Sequence, residues 1–249
     1  MLGSKNRWIG LICHRLPCPM LVPLTRDTFD NLIPRIATVD QYRYYWGKPS
    51  DLLRRVLISV LGVLIVFLLR LFFGEAFESL AFILATILGL YWFWSPVYWA
   101  SQRNREGRRN SYSGYWRGRV LDVFVTDEII GTEETVNARG ELVIVENRER
   151  RLNLEVGDKT GFTAHTQVPL KRDHRLIRPG DLAEMIVMSN RPDLSRITMI
   201  SDIYIADHKL WISDYPYLRK DAFLEVSRRI ERQRRQRQSP PPPSAPAWK

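Results

Sequence analysis

The chain has 249 residues, 45% hydrophobic and 26% charged, with a mean hydropathy of −0.23 and a net charge of +10. That length allows one or two domains, and the basic excess favours anionic partners, lipid headgroups or nucleic acid. The two cysteines, Cys13 and Cys18, exclude a disulfide framework and suit a reducing compartment.

Residues 1–24 read as a disordered leader. Cys13, His14 and Cys18 resemble part of a zinc site, but a tetrahedral site needs further ligands and no second Cys/His pair follows. Lys5 and Arg7 precede only a short apolar run, broken by Pro17 and Pro19, so the stretch fails as a secretory signal. Met20 opens a cleaner start, so residues 1–19 read as an upstream extension or a misassigned start. Residues 25–50 read as an interfacial amphipathic segment. Thr25 or Asp27 caps a short helix with Phe29, Leu32, Ile33 and Ile36 on one face, predicted to lie along a membrane surface.

Residues 56–99 contain one Arg, two Glu and no Lys or Asp. Around this stretch, residues 51–73 and 80–100 are predicted as two transmembrane helices, each near the roughly 20 apolar residues that cross a bilayer. Pro96 is expected to kink or end the second. The six-residue link Gly74–Ser79 forces an antiparallel hairpin. Lys48, Arg54 and Arg55 flank the first helix, and Arg103, Arg105, Arg108 and Arg109 follow the second, whereas the link carries only Glu75 and Glu78. Both termini are therefore placed on the cytoplasmic side. Arg70, the one intramembrane charge, lies near the helix end and is expected to snorkel towards the carboxylates of the link. Tyr42, Tyr44, Tyr45 and Trp46 before the hairpin, with Trp92, Trp94, Tyr98 and Trp99 at its close, are predicted as anchors in one membrane interface. Gly62 and Gly89 permit close helix packing but form no GxxxG pair.

From Tyr115 the pattern changes to short alternating runs: 115–126, 129–136, 141–145, 151–156, 161–166, 184–189, 197–206 and 209–213. Turn signals such as Arg178-Pro179-Gly180-Asp181 separate them. Residues 115–217 are predicted as a small all-β barrel, OB-like or SH3-like, on the cytoplasmic side. Tyr204 and Trp211 alternate with apolar neighbours and read as core. Residues 218–238 read as a basic helix with Phe223, Leu224, Val226 and Ile230 on one face. Residues 239–249 read as a disordered Pro-rich tail.

No metalloprotease helix, nucleophile elbow, phosphate loop or dinucleotide fingerprint occurs. His165, Asp173, His174 and His208 form no local catalytic pattern. The chain is read as a non-enzyme with no cofactor. Arg103, Arg105, Arg108, Arg109, Arg228, Arg229, Arg232, Arg234 and Arg235 are the candidate contacts to anionic lipid headgroups or RNA. Lipid is favoured over nucleic acid, because each basic residue beside an anionic membrane gains about 1 kcal/mol and the strands offer few exposed aromatics for base stacking.

The stretch LTRDTFDNLIPRIATVDQYRYYWGKPSDLL (24–53), and above all Gln41-Tyr42-Arg43-Tyr44-Tyr45-Trp46-Gly47-Lys48, resembles a group of two-span membrane proteins of cyanobacteria and plastids. Some of these carry a phosphate-permease label. The resemblance covers most of the chain after Met20 and supplies no catalytic residues. It implies thylakoid or plasma-membrane residence, a cytoplasmic or stromal barrel and a place beside photosynthetic complexes. A looser likeness, in the order of parts alone, is to NfeD-type proteins, which append an OB barrel to helices. The resulting expectation is a non-enzymatic membrane scaffold or assembly factor, with its hairpin against a partner membrane protein and its barrel against a protein. The rivals are an auxiliary subunit of a transport system and a membrane-tethered RNA-binding protein.

Overall fold

The structure is a computed structural model that describes residues 21–47, 49–136 and 142–238. The start-site reading, the Cys13/His14/Cys18 question, Lys48 and the Pro-rich tail fall outside these residues. In chain order the elements are β1 (Leu21–Pro23), α1 (Arg26–Leu32), α2 (Val39–Trp46) and α3 (Pro49–Phe73), then a 3-10 turn (Gly74–Phe77), α4 (Glu78–Gly89) and α5 (Tyr91–Arg108). The sheet follows with β2 (Tyr112–Val136), β3 (Leu142–Gly157), β4 (Thr163–Pro169), a 3-10 turn (Arg172–Leu176), β5 (Leu182–Ser189), β6 (Ile197–Ile200), β7 (Ile203–Ile205) and β8 (Leu210–Ile212). Helix α6 (Lys220–Gln238) closes the described chain.

Helix α3 is long and apolar enough to cross a bilayer. Its 25 residues span about 37 Å at 1.5 Å per residue. Only 11% of its most apolar stretch is buried, whereas the core helix of a soluble domain would be covered. Helix α4 runs back along it. A Cβ on Gly62 would lie 3.1 Å from Leu88 Cβ, and one on Gly89 would lie 3.4 Å from Val63. Both glycines thus serve the contact between these two helices. At the turn, Arg70 pairs with Glu78 at 2.5 Å.

The second apolar run is not one helix. It breaks at Gly89–Leu90 with a bend of 68°, and Pro96 sits inside α5 rather than at the expected kink. Apart from Pro96, Gly89 is the weakest helix former in the run, and restarting at Tyr91 places Pro96 early in the new helix, where one bond is forfeited. The polar groups opened by the break find partners. The Trp94 indole N–H donates to the Ile87 carbonyl at 2.9 Å, and the Trp92 backbone N–H donates to Ser59 Oγ at 3.2 Å. Such satisfaction is obligatory wherever backbone is removed from water.

Two further expectations are corrected. Residues 21–23 are not disordered leader but a strand, with Val22 opposite Tyr115 of β2. The apolar face of residues 26–33 meets the sheet and α6 rather than a membrane surface. Thr25 caps α1 as expected, but Phe29, Leu32 and Ile33 are at most 1% exposed and pack with Tyr115, Ile186, Met188, Leu218, Phe223 and Ile230. Each such side chain contributes about 1.5–3 kcal/mol on burial, more than a half-immersed surface helix would gain per residue.

The sheet has eight antiparallel strands in the order β4-β3-β2-β5-β7-β8, with β1 beside β2 and β6 beside β5. Four of the predicted short runs merge into two long strands, β2 and β3, which stay paired from Arg119–Gly157 to Val136–Leu142 with shifts near Leu121 and Ile130. One face of the sheet packs on itself: Trp116, Val120, Leu152, Leu154, Val156, Val168, Met185, Ile203 and Ile212 meet there without an α-helix. Helices α1 and α6 cover the other face. Strand β5, apolar on both faces, is central and buried. No pairing joins β4 to β8 among the described residues, so the sheet curls without closing there. Gly118 is required where β2 meets β3, because a Cβ there would fall 2.2 Å from the Trp116 indole.

Candidate functional site

The most densely bonded polar region lies where α2 and α5 meet the segment after β8. Thr38 caps α2 through a reciprocal box with Gln41. The Gln41 side chain then reaches across to α5. Its Nε2 donates to Asn104 Oδ1 at 2.9 Å and to the Pro216 carbonyl at 2.8 Å, and Asn104 Nδ2 donates back to Gln41 Oε1 at 2.8 Å. Tyr215 OH donates to the Ala100 carbonyl and to Asn104 Oδ1, each at 3.2 Å. Gln41 and Asn104 are fully buried, so these bonds are made away from water, where an orphaned partner would cost about 1–3 kcal/mol.

Arg103 lies over this box. Its Cζ is 4.4 Å from the Tyr215 ring centroid, and its Nε donates to Tyr217 OH at 3.0 Å. Burial opposes its charge, yet the Tyr217 and Tyr44 phenolic oxygens hold its pKa above the ordinary value. Asp202, between β6 and β7, is fully buried and accepts the backbone N–H groups of Tyr217 and Leu218, both at 3.0 Å. Burial pushes its carboxyl up to about 7, against the pull of those two N–H groups and of Lys220. Lys220 itself pairs with Asp40 of α2 at 2.6 Å. A second buried network ties α6 to the sheet: Tyr115 OH donates to Ser227 Oγ, which donates to Glu184 Oε2 at 2.7 Å. These groups bond one another, and they join α2, α5 and α6 to the sheet.

The predicted aromatic anchors form two sets of ring contacts. Tyr42 meets Trp46, Trp46 meets Trp92 edge-on at 6.3 Å, and Trp94 meets Tyr98, which meets Trp99. Tyr98 and Trp99 face outward. Tyr44 and Tyr45 instead stack edge-on against Tyr215 of the junction. The basic candidates divide. Arg103 is held as described. Arg108 pairs with Asp30 at 3.0 Å and donates to the Ile33 carbonyl at 2.8 Å. Both are corrected to internal contacts, because buried helix ends on α1 and phenols on the junction recruit their donors. Arg105 and Arg109 are exposed. On α6, Arg229 and Arg235 pair with Glu225 and Glu231, Arg234 is half-buried, and Arg228 and Arg232 face outward.

Sequence reasoning missed Gln41, Asn104, Asp202 and Tyr215 as a unit. Only the Thr38-x-x-Gln41 capping pattern was there to be read. The other three lie far apart in sequence.

The family of unknown function DUF8619 matches residues 22–234. The chain belongs to this family. Because the match runs from β1 into α6, DUF8619 takes in the helices, the junction and the sheet as one unit. No curated protein and no solved structure matches.

Proposed function

We propose that the protein is a non-enzymatic membrane scaffold or assembly factor, which holds its β domain in fixed orientation against a bilayer and presents it to a partner. One observation carries this reading: the buried Gln41–Asn104–Tyr215 box between α2, α5 and the segment after β8. A mere tether needs no such box, since an anchor joined by a flexible linker would position nothing. In this reading α3 and the α4–α5 pair form a hairpin in the membrane, both termini are cytoplasmic or stromal, and the curled sheet is the barrel-like partner domain. The exposed aromatics Tyr98 and Trp99 with Phe93 supply the contact to a partner membrane helix, and Arg105 and Arg109 contact anionic headgroups. Residence beside photosynthetic complexes rests on the sequence resemblance alone.

The test is mild-detergent purification of the tagged full chain from its native membrane, with mass spectrometry of what accompanies it. Stoichiometric recovery of an integral membrane protein, lost in Tyr98→Ala/Trp99→Ala, supports the scaffold. Turnover by the purified protein that a point substitution abolishes would overturn it. A second reading, an auxiliary transport subunit, is favoured by the broken α4–α5 run and by Ser95 Oγ, buried without a hydrogen-bond partner among the described residues. Recovery with an ATPase and multi-span subunits would select it.

A further inference from the structure

Beyond the junction, the curled sheet leaves an open cleft of about 460 Å³ where its inner face runs out past the second 3-10 turn. Val123 and Val125 of β2 and Leu152 of β3 form the floor, and Leu170 and Ile177 form the wall. These are aliphatic, and no Phe, Tyr or Trp lines the space among the described residues. Val125 is 49% exposed, so apolar surface stands open there although the same face is sealed a few residues away.

The rim is polar and mostly basic. Arg150 and Arg175 line it. Arg150 is steadied by Asp127 at 3.6 Å, whereas Arg175 has no ion-pair partner among the described residues. The turn that carries Arg175 also carries Lys171, Arg172 and Arg178 against Asp173 alone. His174, 5% exposed, lines the same wall. Its Nδ1 accepts the Lys171 backbone N–H at 3.3 Å, and burial together with the Lys171 charge lowers its pKa. The ring is therefore neutral with its proton on Nε2, a donor.

An aliphatic floor of ligand size beneath two guanidiniums and an imidazole N–H selects one chemistry. We propose that this cleft is a binding site for a small amphiphile, an aliphatic chain ending in a single anionic group, carboxylate or phosphate. The chain lies on Val123, Val125 and Leu152. The head faces Arg175 and His174, away from the Asp127 carboxylate. This ligand site is independent of the scaffold reading and stands or falls separately.

The test uses the full chain in nanodiscs of zwitterionic lipid. A photoactivatable dodecanoate carrying a diazirine is added, and crosslinks are mapped by mass spectrometry. Labelling is expected on peptides spanning 123–127, 150–152 and 170–177. Dodecyl phosphate should compete at least about tenfold better than dodecanol, because the neutral alcohol forfeits the charge-assisted bonds. Val125→Glu, at a half-exposed position that tolerates a polar side chain, and Arg175→Glu should each reduce cleft labelling about tenfold, and Arg175→Lys should retain most of it. A second arm places the diazirine in the acyl chain of a nanodisc phospholipid. Cleft labelling from that arm supports the proposal with the bilayer as source, and labelling from the free acid alone supports it with a soluble source. Labelling confined to α3 and α4 in both arms would overturn it, as would cleft labelling that Val125→Glu leaves unchanged or that dodecanol competes equally.

Discussion

Asp202 makes the stability of the junction depend on pH in a direction opposite to that of most carboxylates. Its carboxyl moves from an ordinary 3.8 to about 7 in the folded chain, chiefly through burial. The folded state therefore holds the proton more tightly than the unfolded state between those values. The contribution to stability is complete below about pH 4 and is lost as pH rises through about 7. A shift of about three units corresponds to roughly 4 kcal/mol in total, of which about 2.5 kcal/mol falls between pH 5 and pH 8. Asp202→Asn keeps a carbonyl to accept one N–H of Tyr217 or Leu218 but cannot titrate. Denaturant unfolding of nanodisc-embedded protein, followed by tryptophan fluorescence at pH 5 and pH 8, should show the wild type losing about 2.5 kcal/mol more than the variant. Every other titrating group is common to both chains, so the difference isolates Asp202. Equal pH slopes would refute the argument.

Other expectations follow from the helices and their junction. Gln41→Leu and Asn104→Leu should each destabilise by about 2–5 kcal/mol, since each leaves buried partners unbonded. The double variant should cost less than the sum, and strict additivity in a thermal-melt cycle would contradict the reciprocal amide pair. Gly62→Ile places side-chain atoms where Leu88 already stands, and about 1–3 kcal/mol of overpacking should appear as increased protease sensitivity of the α3–α4 turn. Leu64→Arg should reduce membrane insertion, at about 2.5–3.5 kcal/mol for a charge at mid-helix, and unchanged membrane yield would sink the spanning assignment of α3.

What could be read from sequence was what local patterns encode. The apolar run of α3, the cap at Thr25, the Arg70–Glu78 approach and the apolar stripe of α6 each follow from spacing within one or two turns. The break at Gly89–Leu90 could not be placed, because Pro96 is the stronger nominal breaker and the choice depends on Ser59 and Trp94 being at hand to bond the opened groups. The merging of four runs into β2 and β3 was hidden for a related reason. Asp127 and Arg148 look like loop residues, yet in an exposed ribbon Asp127 pairs across to Arg150 and Arg148 pairs with Glu146 along its own strand, both at little cost. The fate of Phe29 and Ile33 was misjudged because an amphipathic face does not reveal whether lipid or sheet will cover it. The junction was invisible because Gln41, Asn104, Asp202 and Tyr215 converge only in the fold.

The break has a mechanical consequence for the bilayer. With α4 upright, its 12 residues rise about 18 Å. The first nine residues of α5, leaning at 68°, add about 5 Å more. In the hairpin reading the second leg is about 23 Å tall against a hydrocarbon core of about 30 Å, beside the apolar residues 56–73 of the first leg, which span about 27 Å. Lipid would thin more beside the shorter leg than beside the longer one. A hairpin with unequal legs carries a gradient of hydrophobic mismatch around itself, and each ångström of mismatch costs a fraction of a kcal/mol. That cost falls when the short side is shielded by another protein, so in the scaffold reading the bilayer would favour a neighbour on the α4–α5 face.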